Sequence, residues 1–215
     1  MNSAVDYTIC WRLRALPFDH VPDPRFDVPS SQHDAAHRWL SDGIQTRTGM
    51  PLLTGAIGCG KTVLSRRLIV GVAPAQYDGA LVANPALSPS ELLDEVWSQF
   101  GLDLVRSTAW RLRTRNERLK SNAQRGISSV LVVDEAQAIE RVNAFEELRL
   151  LTSFQLNDRI LLTVVLIGQP EAGHRIVSMP QLNQRITVRA QLDPFTAEET
   201  TSKMTARMEA VTHRT

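Results

Sequence analysis

Five short runs of apolar residues follow Gly49, and within each run the apolar residues are largely continuous rather than alternating with polar ones. Continuous runs of this length are typical of strands that are buried on both faces, as in a parallel sheet. Segments with helical spacing separate the runs, so strands and helices alternate along the chain. The pattern predicts an α/β fold whose parallel sheet lies between helices. The five predicted strands are MPLLTG (50–55), ALVANP (80–85), VLVVDE (130–135), LLTVVLIG (161–168) and RITVRAQL (185–192).

The residues before the first strand divide into an aperiodic part and a helix. The stretch PFDHVPDPRFDVPS contains four prolines, which exclude a helix there, so we predict that the N-terminal segment forms an extended arm. The next stretch, SSQHDAAHRWLSDGI, has helical spacing. We expect Ser31 to cap this helix and Ala35, Trp39 and Leu40 to share one side of it.

Two capping boxes mark later helix starts. Ser88 is placed to cap a helix whose first position is Pro89, with Glu91 closing the box three residues on. Thr196 and Glu199 repeat the arrangement, which predicts a terminal helix in the last segment. The chain is thus predicted to consist of an extended arm (1–30), a core (31–195) and a terminal helix (196–215).

The stretch LLTGAIGCGKTVLSRR joins the first predicted strand to a helix and contains the pattern GxxxxGK followed by Thr62. Glycines let backbone amides approach an anion closely, and the helix that begins near Lys61 points its free N–H groups at the same spot. Lys61 is placed to reach the β- and γ-phosphates, and Thr62 to ligate magnesium. The motif alone allows a chance match, but the strand before it and the helix after it favour a triphosphate site. The predicted nucleotide-binding residues are Gly55, Gly58, Cys59, Gly60, Lys61, Thr62 and Val63.

An acidic pair, Asp134 and Glu135, ends the third predicted strand directly after four apolar residues. A carboxylate at the buried edge of a sheet needs a cation or hydrogen bonds to offset its desolvation, so we expect Asp134 to hold magnesium. Glu135 points differently and is predicted to act as general base toward the attacking water. The alternative for Glu135 is a solvated loop carboxylate.

The predicted strand 80–85 lies between the phosphate loop and the acidic pair, as in the additional-strand class of P-loop ATPases. Asn84 ends this strand. Two interpretations of Asn84 stay open. It could be a switch that holds Glu135 in an inactive pose, or a turn residue before Pro85.

Composition narrows the choice of partners and compartment. The formal net charge is +1 over 215 residues, so affinity for nucleic acid requires a local basic patch. Cys10 and Cys59 lie far apart without zinc-site spacing, which favours a reducing, cytoplasmic location. No apolar run approaches the ~20 residues of a bilayer span, so no membrane insertion is expected. His33 and His37 lie four residues apart without a carboxylate or cysteine motif, so a core or surface role is favoured over a metal site.

Several stretches, in order from Pro17 to Thr200, resemble the AAA+ ATPases of the general secretion pathway A (ExeA) type. The segments LRLLTSFQLNDR and IGQPE are far more specific for this family than the phosphate loop. Close relatives of the family include transposon-encoded ATPases, which resemble the phage Mu B protein and help select target DNA. The matching stretches are PFDHVPDPRF, SSQHDAA, LTGAIGCGKT, NPALS, VVDEAQAI, EELRLLTSFQLNDRILLTVVLIGQPE and QRITVRAQLDPFTAEET.

The resemblance implies two further site residues. Gln169, at the end of the fourth predicted strand, matches the sensor position that reads the γ-phosphate, with a loop amide as the alternative. Arg185 matches the place where this superfamily presents an arginine finger to a neighbouring subunit, with a surface arginine as the alternative. An arginine finger supplied by a second copy implies a homo-oligomer, in a ring or filament, and weak turnover as a monomer.

The sequence departs from the family at two places. Ala56 stands where family members carry a glutamate, at a loop position that is not of the phosphate-contacting type, so we expect nucleotide binding to survive. After the fifth predicted strand 23 residues remain (215 − 192), enough for one helix. We therefore expect the helical lid with its second sensor arginine to be largely absent, along with the membrane helix and wall-binding module of the long secretion proteins.

The segment from Arg106 to Arg125 holds seven basic residues and one acid, Glu117. One interpretation is a surface that tracks DNA phosphates, with Trp110 stacking, as in transposon relatives that line a DNA-bearing ring. The other is a solvated helix face whose arginines pair with acids while Trp110 and Leu112 pack on the core. The candidate DNA contacts are Arg106, Arg111, Arg113, Arg115, Arg118 and Lys120.

Together these features predict an ATP-binding and ATP-hydrolysing AAA+ ATPase that acts as a self-associating nucleotide-dependent switch or motor. The first alternative is an ATP-gated regulator of transposition that binds duplex DNA and works with a transposase. The second is a nucleotide-dependent scaffold that does not hydrolyse ATP. The secretion relatives imply a different partner, a secretion-assembly protein.

Overall fold

The structure is a computed structural model that describes residues 13, 30–47, 49–70, 76–102, 108–156 and 159–212. Most of the predicted N-terminal arm lies outside these residues. Within the arm, Leu13 forms an isolated antiparallel bridge with Thr212 near the end of the chain.

Helices and strands alternate along the described chain, as the apolar pattern predicts. The helices are α1 (Ser31–Thr46), α2 (Lys61–Val70), α3 (Pro89–Gln99), α4 (Thr108–Gln124), α5 (Val142–Leu151), α6 (Pro170–Val177), α7 (Pro180–Asn183) and α8 (Ala197–Val211), with a 3-10 turn over Ala136–Ala138. The strands are β1 (Met50–Gly55), β2 (Tyr77–Val82), β3 (Ser128–Val133), β4 (Gln155–Leu156), β5 (Arg159–Ile160), β6 (Leu162–Gly168) and β7 (Ile186–Leu192).

Five of the strands form one parallel sheet in the order β2-β3-β6-β1-β7. β6 lies at the centre, and all seven of its residues are buried, which explains why its sequence is almost continuously apolar. The predicted α/β fold with a five-stranded parallel sheet is confirmed. Because the strands are parallel, the loops after β1, β2, β3 and β6 all leave from one edge of the sheet.

Helices cover both faces of the sheet, and consecutive strand residues serve the two sides. Leu52 packs on one side in a cluster that includes Trp97 of α3 and Phe145 of α5. Leu53 packs on the other side, together with Leu40 of α1 and Leu64 of α2. Neighbouring residues of a strand point to opposite faces, so a strand between two helical layers needs apolar residues at both parities.

Both capping boxes are confirmed. The Ser88 hydroxyl accepts from the Glu91 amide while the Glu91 side chain accepts from the Ser88 amide, with Pro89 in the first turn. Thr196 and Glu199 form the same reciprocal pair at the start of α8.

The predicted face of α1 is wrong by about one residue. Ser30, not Ser31, is the N-cap, and Trp39 is 52% exposed. The buried side chains are His33, Ala36, Leu40, Gly43 and Ile44, so only Leu40 of the three predicted residues lies in the core. Apolar character placed Trp39 inward, but a helix face is set by what it packs against, and here a histidine occupies the inner side.

The sequence also misplaced the second strand and missed a hairpin. β2 begins at Tyr77 and ends at Val82. Residues 83–85, which the sequence assigned to the strand, lie in the loop that follows it. β4 and β5 pair in antiparallel fashion through two residues each, too short for an apolar pattern to reveal.

Candidate active site

The loop between β1 and α2 contains glycines that allow a tight turn. Gly58 and Gly60 adopt positive φ values of 81° and 86°, in the region that a side chain disfavours. A Cβ on Gly60 would lie 2.7 Å from the His33 Nε2 atom. The sequence of the loop therefore permits a tight turn that ends at the first residues of α2, whose N–H groups lack helical partners.

Lys61 lies inside this loop rather than in solvent. Lys61 is only 6% exposed, and its Nζ donates to the Ala56 carbonyl at 2.8 Å. The Cys59 thiol donates to the same carbonyl at 2.9 Å. The loop thus holds an ammonium group against its own backbone, where an anion would be met by charge and by amide donors together.

His33 supports the loop from α1. Its Nε2 lies 2.8 Å from the buried Cys59 carbonyl, and its Nδ1 lies 2.8 Å from the Ser30 hydroxyl. Because a carbonyl only accepts, Nε2 carries the proton in this contact. The ring also stacks on Phe195, with centroids 5.1 Å apart. The sequence left His33 as a core or surface residue, and its buried contact with the loop gives it a specific structural task.

His37 lies one turn after His33 and contacts a different part of α1. Its Nδ1 lies 3.5 Å from the Ser41 hydroxyl, and burial together with the nearby Arg67 charge lowers its pKa below 6.5. Among the residues that the structure describes, no three His, Cys, Asp or Glu side chains form a metal-binding group.

Asp134 follows β3 and lies at the same edge of the sheet as the loop. It is 3% exposed, and its Oδ2 lies 2.9 Å from the Ser65 hydroxyl of α2. The Ser65 hydroxyl also lies 2.9 Å from the Thr62 carbonyl. Ser65 therefore ties the phosphate loop to the acidic strand. The sequence analysis did not identify Ser65. Its position could have indicated the contact, because a residue four positions after Lys61 lies on the same face of the helix.

Glu135 has a backbone conformation that is unusual for a residue other than glycine. Its φ and ψ are 54° and 39°, and such strain is concentrated at functional sites. Three hydrogen bonds hold it. The amide donates to Asp134 Oδ1 at 2.9 Å, the carbonyl accepts from the Ala138 amide at 2.8 Å, and the carboxylate accepts from the Gln137 side chain.

Gln169 lies at the carboxyl end of β6, where it is the N-cap of α6 without a side-chain capping bond. Its backbone amide donates to Gln137 Oε1 at 2.9 Å. The structure thus brings Lys61, Asp134, Glu135 and Gln169 to one edge of the sheet. Gln137, which sequence reasoning did not single out, contacts two of the loops that carry them.

Asn84 takes part in a local turn. Its side-chain oxygen accepts from the Ala86 amide at 3.3 Å, and the residue makes no hydrogen bond with Glu135, although the structure describes both. The turn interpretation accounts for this contact, and the donor to the Glu135 carboxylate is Gln137 instead.

Arg185 lies at the opposite end of the sheet from the phosphate loop of its own chain. Its carbonyl accepts from Met50, the first residue of β1, whereas the loop begins after Gly55 at the other end of that strand. Five residue steps along a strand span about 17 Å. An active site completed by this arginine would therefore be that of another copy.

The basic segment contains both paired and exposed cations. Arg115 is 9% exposed, pairs with Asp94 at 3.3 Å and lies 5.1 Å from the Trp97 ring centroid. Arg118 pairs with Asp78 at 3.0 Å. Arg115 thus fits the structural interpretation of this segment.

Of the other candidate DNA contacts, two have side chains within the described part of the chain and two do not. Arg113 and Lys120 are exposed on α4, separated by the exposed Glu117. Arg106 and the side chain of Arg111 lie outside the described part of the chain.

The donors at this edge fit a magnesium ion with a bound triphosphate. Magnesium prefers oxygen ligands and is held in such sites by one or two protein groups plus phosphates and water. Asp134 supplies a nearly buried carboxylate, and Thr62 supplies an exposed hydroxyl one turn from Ser65. These are the two residues that the sequence predicted as ligands.

A family model described as an AAA domain matches residues 44–176, which run from the end of α1 to α6. The chain belongs to this AAA family. The match covers Lys61, Asp134, Glu135 and Gln169, but not Arg185.

The chain is also similar to a longer curated protein. It is 36% identical over 197 residues to "General secretion pathway protein A" of Aeromonas hydrophila, covering 90% of this chain and 36% of that protein. The resemblance to the ExeA type is therefore confirmed. The chain spans about a third of the length of that relative.

Solved structures share the fold at low sequence identity. The Aeropyrum pernix ORC2 protein, solved in ADPNP-ADP complexes, has a TM-score of 0.70 at 17% identity, covering 92% of this chain and 56% of that one. The Aeropyrum pernix ORC1 protein in complex with DNA has a TM-score of 0.63 at 20% identity, covering 88% and 52%. These likenesses support the AAA+ P-loop fold.

None of the helices in the described ranges is both long enough and apolar enough to cross a membrane.

Proposed function

We propose that this AAA domain binds ATP with magnesium and hydrolyses it in the cytoplasm as a self-associating nucleotide-dependent switch or motor. The observation that carries the proposal is the convergence of Lys61, Asp134 and Glu135 at one edge of the sheet, where Ser65 bonds to the acidic strand from the helix of the phosphate loop. A buried ammonium and a buried carboxylate on adjacent loops form the pair of charges that a magnesium triphosphate requires.

Each residue has a distinct task in this proposal. The loop amides and Lys61 bind the phosphates, and Glu135 takes a proton from the attacking water. Gln169 orients the terminal phosphate. Magnesium, held by Thr62 and Asp134, would supply charge neutralisation at the phosphates. The fixed backbone and carboxylate of Glu135 support its use as base, because general-base catalysis depends first on geometry.

Self-association is proposed because Arg185 matches the arginine-finger position of the family, yet it lies at the far end of β1 from its own phosphate loop, a span of about 17 Å. In wild-type protein, ATP turnover per chain should rise with protein concentration. Arg185→Ala should remove that rise and lower kcat at high concentration by about 10³-fold, the lower end of the range for arginine fingers. The measurement is phosphate release over a dilution series.

The matched control for this prediction is Arg38→Ala, which removes an exposed arginine from α1. It should keep the concentration dependence. If Arg185→Ala lost the same activity at high dilution as at high concentration, the arginine would act within its own chain, and the finger assignment would be refuted.

A second use of the same site, ATP-gated binding of duplex DNA, is favoured by the exposed cations of α4. Arg113 and Lys120 of α4 are exposed, while Arg115 and Arg118 pair with acids. The fold also occurs in proteins solved with DNA. The contrasting partner is a secretion-assembly protein, which the name of the Aeromonas relative suggests.

Fluorescence anisotropy of a labelled duplex, with ATP, with ADP and without nucleotide, separates these partners. DNA binding should appear with ATP and weaken with salt, because bound cations release counterions. Replacing Arg113 and Lys120 with alanine should reduce the salt slope by about two, one for each lost phosphate contact. The control pair Arg38→Ala and Arg66→Ala should leave the slope unchanged. Absence of binding in every nucleotide state would refute the DNA role and direct the search to protein partners.

A further inference from the structure

Gln137 connects two loops of the proposed ATPase site through the two ends of one side-chain amide. Its Nε2 donates to the Glu135 carboxylate, and its Oε1 accepts from the Gln169 backbone amide at 2.9 Å. An amide has a donor end and an acceptor end, so its orientation is fixed when both ends are used. The general-base candidate after β3 and the sensor position after β6 are thus joined by a single residue.

The end of β6 is shaped to admit this amide. A Cβ on Gly168 would lie 2.8 Å from Gln137 Oε1 and 3.1 Å from the Ala172 Cβ. Any side chain at residue 168 would displace Gln137 or α6. A glycine at this point therefore provides room for the bond between Gln137 and the next backbone amide.

The backbone around Gln137 is held separately by Arg175 of α6. The Arg175 guanidinium donates to the carbonyls of Ile139 at 2.6 Å, Glu140 at 2.8 Å and Gln137 at 3.2 Å. Three carbonyls on one guanidinium fix the turn after β3 against α6. Gln137 is consequently presented at a fixed distance from both of its side-chain partners.

We propose that Gln137 is the positioning residue for Glu135, holding its carboxylate in register with the Gln169 loop. The proposal rests on the proposed ATPase function and assigns to Gln137 the contact with Glu135 that Asn84 does not make. Gln137 does not contact the reacting atoms in this role. It acts through Glu135, so its loss should lower kcat while leaving ATP binding intact.

Gln137→Glu removes the donor end of the side chain and keeps the acceptor end. A glutamate keeps an oxygen for the Gln169 amide but places a second carboxylate against Glu135. We expect kcat to fall by about 10- to 100-fold, the loss typical when a residue that orients a metal ligand is replaced, with KM for ATP within about twofold. Gln45→Glu adds the same charge at an exposed position of α1 and should behave as wild type.

A swap of the two side chains tests the contact without relying on turnover. Gln137→Glu should lower the midpoint of thermal unfolding, because two carboxylates then face each other. Adding Glu135→Gln restores a donor and an acceptor in exchanged positions, so the midpoint should recover while turnover stays lost. The pair would then be coupled beyond the sum of the single changes.

The outcomes separate the two proposals. A kcat for Gln137→Glu equal to that of Gln45→Glu would show that Gln137 serves only the Gln169 loop and would overturn the inference. A wild-type chain that binds ATP without turning it over would refute the proposed hydrolysis instead. In that case the thermal unfolding of the double variant is the test of the inference. A midpoint that does not recover would refute the contact between Gln137 and Glu135.

Discussion

Lys61→Ala is expected to weaken ATP binding by at least about 30-fold. The ammonium lies within the phosphate loop, where it is nearly buried and donates to the Ala56 carbonyl. Truncating one member of a buried charge pair costs about 2–5 kcal/mol or more, which corresponds to roughly 30- to 4,000-fold in Kd. Titration of a fluorescent ATP analogue, or calorimetry, measures the change directly.

Two further variants make this result specific. Lys61→Met keeps the apolar length of the side chain without its charge and should bind ATP as weakly as Lys61→Ala, which would exclude a packing defect as the cause. Lys120→Ala removes an exposed lysine from α4 and should bind as wild type. Equal affinity of wild type and Lys61→Ala would refute the assignment of the loop as the nucleotide site.

The sheet was predictable because its determinants are local. A strand such as β6, buried on both faces, must be apolar at nearly every position, and the run LLTVVLIG shows this without knowledge of its neighbours. The capping boxes are equally local, since both partners lie within four residues. The face of α1 was mispredicted because it depends on contacts with distant elements, among them the loop carbonyl of Cys59.

The site residues also differ in whether their determinants are local or distant in the sequence. Lys61, Asp134 and Glu135 are recognisable because spacing within one loop or one strand end defines them. Ser65 bonds to an acid 69 residues away, and Gln137 bonds to an amide 32 residues away. Such pairs become visible only when the strands are in register. The basic segment shows the limit of counting charges, because the acids that neutralise part of it lie on other elements.

Glu135→Gln should leave ATP binding unchanged and stop turnover. The substitution is nearly isosteric, and the new amide oxygen still accepts from Gln137, so the strained backbone at residue 135 keeps its supports. What is lost is the capacity to take a proton, since an amide is not a base at neutral pH. General-base catalysis contributes about 10²- to 10⁴-fold, and single-turnover phosphate release should fall by that factor.

Glu140→Gln is the matched control, because it makes the same chemical change at an exposed residue five positions further along. It should release phosphate at the wild-type rate. If both variants turned over ATP as wild type does, Glu135 would not be the base. If wild type itself bound ATP and released no phosphate, the chain would be a nucleotide-dependent scaffold, whose bound state would persist as it does in Glu135→Gln. Comparing the two proteins therefore distinguishes a switch that resets by hydrolysis from one that must release its nucleotide to reset.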